Sequence, residues 1–211
     1  MRIFLRTRQT ARLAKLVQIS IFSAIAVVFT FFEVPVWLFA PGFYKLGLSD
    51  AIVLISGFSL GPTAGVLTEF LKVALRLLLR GTSTFGVGEM ANLAVGIALV
   101  LPSAAFYERH RTFKGAVAAM LLGIASVTIA AGIINYFVLL PLDEALFSIS
   151  ESTIIAWGKA VNPLITSKLM FVLLLVCPFN LLKGSLVCCV TLMFYKKLSA
   201  IINDFSSKFV K

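Results

Sequence analysis

GAVAAMLLGIASVTIAAGIINYFVLL, residues 115–140, contains no acidic or basic side chain. An α-helix needs about 20 predominantly apolar residues to cross the hydrocarbon core of a bilayer, and this stretch exceeds that. Outward from it lie further apolar runs at Leu16–Phe32, Ile52–Leu60, Gly65–Leu79, Glu89–Phe106 and Pro178–Tyr195. Hydrophobic residues make up 60% of the chain and charged ones 13%, with a mean hydropathy of +1.02. Globular domains carry about 25% charge. The chain reads as an all-α integral membrane protein with six transmembrane helices and both termini cytoplasmic. Residues 1–211 form one membrane domain, with short basic tails at about 1–15 and 196–211.

Two features of the run pattern need local readings. The short second run meets the third at Gly61-Pro62, a dipeptide that reads as a tight turn between helices. Ile165–Val176 is too short to span alone. It is either a re-entrant or interfacial lid, or the first half of a final helix kinked at Pro178.

The net charge of +10 would suit nucleic acid, but its distribution argues against that. Arg2, Arg6, Arg8, Arg12 and Lys15 precede the first run, and Arg109, Arg111 and Lys114 separate the fourth from the fifth. Lys196, Lys197, Lys208 and Lys211 follow the last. With six spans all of them fall on one side, as the positive-inside rule requires. Asp143, Glu144 and Glu151 gather in a loop on the other side. Leu16–Phe32 is longer than a signal-peptide core and ends in no A-x-A-like site, so it reads as a retained first span. Membrane lipid is the expected environment and nucleic acid is not a partner.

Catalytic signatures are missing. There is no phosphate-binding G-x-x-x-x-G-K-[ST], no H-E-x-x-H and no G-x-S-x-G, and the apolar spans hold no paired carboxylates at catalytic spacing. An enzyme is not expected. Cys177, Cys188 and Cys189 read as buried apolar fillers, with neither disulfide nor metal. His110, between Arg109 and Arg111, reads as a solvated loop residue.

Polar groups at membrane depth are costly and mark functional positions. In Pro178-Phe179-Asn180-Leu181-Leu182-Lys183-Gly184, a proline at the first helical position would set Asn180 and Lys183 on one face, i and i+3. Asn135-Tyr136 lies near the end of the fifth run, at the same expected depth. Asn135 either bridges helices or binds a ligand. In Lys45-Leu46-Gly47-Leu48-Ser49-Asp50, Ser49 or Asp50 can cap the second helix, while the backbone of Lys45, Leu46, Gly47 and Leu48 is a candidate ligand contact. Gly81-Thr82-Ser83-Thr84-Phe85-Gly86-Val87-Gly88-Glu89-Met90-Ala91-Asn92 combines hydroxyls with glycines that allow close backbone approach. There Glu89 serves either as a cap or, with Asn92, as a ligand group. Glu69, Lys72, Arg76 and Arg80 form a stripe along the third run: Glu69–Lys72 reads as an internal pair, Arg80 can snorkel, and Arg76 has a pairing or a pathway role.

Two amides, which donate and accept, and one ammonium, which only donates, suit a planar heteroaromatic edge alternating carbonyl, N–H and ring nitrogen. Phe39, Phe43, Tyr44, Phe85, Tyr136 and Phe179 offer stacking surface.

These segments in this order, with the Gly61-Pro62 turn and Asn135-Tyr136-Phe137-Val138-Leu139-Leu140-Pro141, resemble the riboflavin-binding S components of energy-coupling factor vitamin transporters, over roughly residues 15 to 197. The resemblance implies capture of riboflavin outside a bacterial cell, at the plasma membrane. It also implies delivery with a transmembrane coupling subunit (the T component) and two cytoplasmic ATPases, whose hydrolysis topples the S component. Asn135, Asn180 and Lys183 match the family's flavin-edge residues, and Lys45–Leu48 the loop that closes over the ligand. Thr84, Glu89 and Asn92 are then candidates for the ribityl chain. The family's A-x-x-x-A docking pattern is absent; the nearest small pairs are Ser20/Ala24, taken as the docking face, and Ala26/Thr30. No resident cofactor is expected. FMN, thiamine or a related heterocycle is the alternative ligand, with Lys45, Arg80 or Lys159 available for a phosphate. A structural membrane subunit without a ligand is the alternative class.

Overall fold

The computed structural model describes the backbone of residues 2–36, 45–82 and 84–209, and the side chains from 12 to 194 within those segments. Phe39, Phe43 and Tyr44, three of the expected stacking rings, lie outside the described residues.

The chain runs through α1 (Arg2–Thr30), strands β1 (Val34–Pro35) and β2 (Lys45–Leu46), α2 (Ser49–Leu60), α3 (Pro62–Arg80), α4 (Val87–Arg109) and α5 (Phe113–Ile134). A π-turn over Asn135–Leu139 leads into α6 (Leu140–Phe147), followed by α7 (Glu151–Val161) and α8 (Lys168–Phe171). A second π-turn, Val172–Val176, leads into α9 (Cys177–Phe209). Among the described residues, four runs are long and apolar enough to cross a membrane: Arg12–Thr30, Val87–Arg109, Phe113–Phe147 and Lys168–Phe194. The second and third expected spans are α2, only 12 residues long, and α3, which carries the charged stripe.

Short connections make neighbouring helices antiparallel. Gly61, at φ +95°, is the whole link between α2 and α3, and Pro62 begins α3 where its missing N–H costs nothing. Thr112 caps α5 by accepting from the Gly115 amide. Helix ends therefore collect at two places. One, the basic end, holds Gly61 and the Arg109–Lys114 turn. The other, the site end, gathers the end of α1, the β1–β2 ladder, the 81–86 turn and α6 to α8.

The core forms where α2 packs against α1, α3, α4 and α9, and α5 against α4 and α9. Leu54, Leu99, Val100, Met120, Val127 and Val187 are buried there. Small residues let the helices meet closely, as membrane packing demands. A Cβ added at Gly65 would stand 2.9 Å from the Gly57 Cα and press on Val100. Gly65→Val should cost about 1–3 kcal/mol through overpacking, seen as a lower melting temperature in detergent; an unchanged one would mean these helices sit further apart.

Of the two sequence readings, the structure gives the continuous final helix, and Pro178 does not open a helix of its own. Residues 168–209 run as one continuous helical stretch, so Ile165–Val176 is mainly the first part of the final helix. A proline within a helix clashes with the carbonyl four residues back. Here the Cys177 amide reaches five residues back to the Val172 carbonyl, and the widened turn accommodates the ring. Pro141 has the same arrangement, with the Leu140 amide on the Asn135 carbonyl.

The acidic loop is also helical. Asp143 and Glu144 lie in α6, and Glu151 opens α7 under a Ser150 cap that accepts from the Thr153 amide. That helix is held because Ile154 is buried with Ile165, Phe171 and Leu175 in a second apolar cluster. Of the three cysteines only Cys188 is buried; Cys177 is half-buried and Cys189 exposed, because successive helical residues face different ways.

Candidate ligand-binding site

Four charged side chains from three helices form an alternating chain inside the bundle. Lys183 of α9 places its Nζ 2.9 Å from Asp50 Oδ2. The other Asp50 oxygen stands 2.6 Å from the Nζ of Lys72 on α3, and Lys72 in turn lies 2.7 Å from Glu69 Oε2. Glu69 and Lys72 are 0% and 1% exposed, whereas the Lys183 side chain is 20% exposed. Two cations and two anions cancel, which is the condition for burying charge at all. Glu69 meets Lys72 without hydrogen-bond geometry, and neither of its oxygens has a hydrogen-bond partner among the described residues. Its carboxylate occupies the space above Gly96 of α4, where any Cβ would collide with it.

Asn180 is buried beside this chain and donates its Nδ2 to the Val176 carbonyl at 2.9 Å. With Asp50, Lys183, Gly96, Val127 and Gly184 it lines a gap of about 10 Å³, the size of roughly one water. Asn180 and Lys183 thus share a face, as their spacing requires.

A wider cavity of about 240 Å³ opens at the site end, lined by Glu33, Lys45, Arg76, Thr84, Gly88, Glu89 and Asn92. Asn92 stands one turn before Gly96 on α4, so this cavity lies about one helical turn from the small gap, toward the site end. Arg76 Nη2 donates to Glu33 Oε2 at 3.1 Å. Glu33 also packs over Gly47, where a Cβ would stand 2.8 Å from its Cγ. The β1–β2 ladder, Val34 opposite Leu46 and Pro35 opposite Lys45, closes the base of the loop carrying Lys45–Leu48. Arg80 Nη1 donates to the Thr30 carbonyl at 3.4 Å and its guanidinium lies over Phe31. The α3 stripe is therefore spent on tying α1 and α2 to α3.

Glu89 does not cap α4. Gly86 holds the cap position, and the Thr84 hydroxyl accepts from the Gly88 amide. The Glu89 carboxylate instead accepts the hydroxyls of Thr82 at 2.9 Å and Thr84 at 3.0 Å. Phe85 beside it is 79% exposed and sits at φ +53°, a conformation costly for a bulky residue. Asp50 does not cap α2 either: Leu48 is the cap residue, with no side-chain bond. Two ammonium groups satisfy that carboxylate better than one amide would.

Asn135 lies at the start of the first π-turn, half-buried, with its Nδ2 on the Ala131 carbonyl at 2.8 Å. Tyr136 is covered by Lys168, whose Nζ is 4.9 Å from the ring centroid. Neither lines the gap or the cavity described above. Glu33 and the central place of Asp50 escaped the sequence reading. The signal for both was present: each acid faces the end of an apolar run opposite the cation stripe of α3.

Residues 14–195 match the family described as "ECF transporter, substrate-specific component". That match covers most of the chain. The protein belongs to this family. Over 185 residues the S component is 31% identical to riboflavin transporter RibU of Staphylococcus aureus (strain TCH60), covering 88% of this chain and 90% of that one. Riboflavin transporter FmnP of Bacillus subtilis (strain 168) is 28% identical over 200 residues, covering 92% and 96%. The fold matches a solved chain described as "Structure and mechanism of the S component of a bacterial ECF transporter". That match has a TM-score of 0.71 and 28% identity, over 90% of this S component and 98% of the solved chain. The S component is thus a multi-pass membrane transport protein, not an enzyme.

Proposed function

We propose that this S component captures riboflavin outside a bacterial cell and releases it inward when a T component and two ATPases drive it. The supporting observation is the near full-length similarity to proteins named riboflavin transporters. Six membrane crossings, with both termini and the basic end in the cytoplasm, fit the charge distribution and turn the site end outward.

The chemistry of the site end suits a flavin. Lys183 is paired with Asp50 on one side and keeps donors for a ring carbonyl. Asn180 and Asn135 each commit one amide hydrogen to a backbone carbonyl, leaving their oxygens to accept an imide N–H. The Glu89 carboxylate already gathers two hydroxyls, and a polyol chain presents the same group, with Thr84, Asn92 and Lys45 beside it. The exposed, strained Phe85 offers a ring for stacking. Lys45, Leu46, Gly47 and Leu48 close over the ligand from the β1–β2 base, and Tyr136 flanks it. No resident cofactor is part of this reading.

The test is the absorption spectrum of the detergent-purified protein, followed by riboflavin titration with FMN and thiamine as competitors. Flavin bands support the reading; a colourless protein that does not quench riboflavin fluorescence rejects it. Tighter binding of FMN than of riboflavin would reassign the ligand. Asn180→Ala should weaken riboflavin binding by about 1–3 kcal/mol, roughly 5- to 150-fold, in a folded protein. Wild-type affinity would remove Asn180 from the site.

A further inference from the structure

We propose that Asp50 is a positioning residue for ligand capture, fixing the direction in which the Lys183 ammonium points; this rests on the riboflavin reading above. A lysine is a point charge on a flexible four-carbon stem, so an ammonium meant to meet one carbonyl must be held. Among the described residues Asp50 is the one ionic partner of Lys183, at 2.9 Å. Asp50 is itself held. Its second oxygen takes the fully buried Lys72 at 2.6 Å, and Lys72 is backed by Glu69 in the slot above Gly96. Such a chain fixes the carboxylate from behind while Lys183, the only partly exposed member of the four, faces the gap beside Asn180. Preorganised groups of this kind gain affinity because less freedom is lost on binding. Asp50 also stands two residues beyond Leu48. The loop proposed to cover the ligand and the cation proposed to orient it therefore share one anchor.

The experiment is a double-mutant cycle on riboflavin affinity, read by fluorescence quenching with wild type, Asp50→Asn, Lys183→Met and the double variant. Asp50→Asn should weaken binding about tenfold, and the double variant should bind within about twofold of Lys183→Met alone. Multiplying losses, or wild-type affinity in folded Asp50→Asn, would overturn the proposal. A ligand-free arm follows acylation of Lys183 by a small amine reagent, read by mass spectrometry. Pairing with Asp50 at 2.9 Å holds the Lys183 Nζ against the carboxylate, so Asp50→Asn, which frees it to meet the reagent, should speed labelling at Lys183 several-fold; an unchanged rate overturns the proposal. If wild type binds no riboflavin, the substrate reading falls and the labelling arm still decides the role of Asp50. If Asp50→Asn does not fold, the same substitution is made over Glu69→Gln/Lys72→Met, where no fully buried charge is left unpaired.

Discussion

Lys72→Met should destabilise the protein by about 3–5 kcal/mol, the cost of stripping one partner from a buried ion pair. Methionine matches the lysine stem in length and apolar character, so packing changes little. What changes is charge. Asp50 keeps Lys183, but Glu69, fully buried and without a hydrogen bond, loses its cation. Set against the 5–15 kcal/mol that typically holds a protein folded, the loss is large. Glu69→Gln added to Lys72→Met should recover most of it, because the Asp50–Lys183 pair then remains neutral by itself. Unfolding followed in detergent for the single and double variants measures both. If the single variant is as stable as wild type, the buried chain is not what ties α2 to α3; if the double variant is no better than the single, an unpaired Glu69 is not the cause.

Ala24→Trp should abolish riboflavin uptake while leaving riboflavin binding intact. Of the two small-residue pairs in α1, the structure separates their surroundings: Ser20 and Ala24 are exposed, whereas Ala26 is 0% and Thr30 1% exposed within the bundle. Only the first pair is open to a helix from outside the bundle. Around it Leu16, Val17, Ile21 and Val28 are exposed as well, an apolar surface suited to lipid or to a coupling subunit. A small residue permits close helix approach, and an indole at Ala24 would hold a partner away. The substitution touches none of the side chains lining the cavity or the gap. Cellular uptake measured beside binding by the purified variant separates the two steps; normal uptake would move docking to another face.

Local signals carried much of the fold. The Gly61-Pro62 turn was legible because a glycine with positive φ followed by a proline at a helix start is a two-residue device needing no distant partner. The spacing of Asn180 and Lys183 placed them on one face whether the helix began at Pro178 or ran through it, since both residues follow the π-turn. The α7 helix was legible in principle, through the Ser150 cap and Glu151 in its first turn, but its acids read as a solvated loop. What stabilises it is burial of Ile154 against Ile165 and Phe171, residues beyond the helix itself.

Hydropathy and charge placement, taken from the sequence by itself, determined that this is a membrane protein, where its apolar runs fall and which polar residues are worth watching. They did so because bilayer thickness and the cost of bare charge act on each segment independently. Only the tertiary structure decided what those residues do to one another. Asp50, which looked like a helix cap, holds Lys72 and Lys183; Arg76, read as a pairing or a pathway residue with no partner named, holds Glu33; Glu89 collects threonine hydroxyls. An ion pair depends on where two helices distant in sequence cross, and that crossing is set by close contacts such as Gly57 on Gly65 and Glu69 over Gly96, which no periodicity in one segment can express.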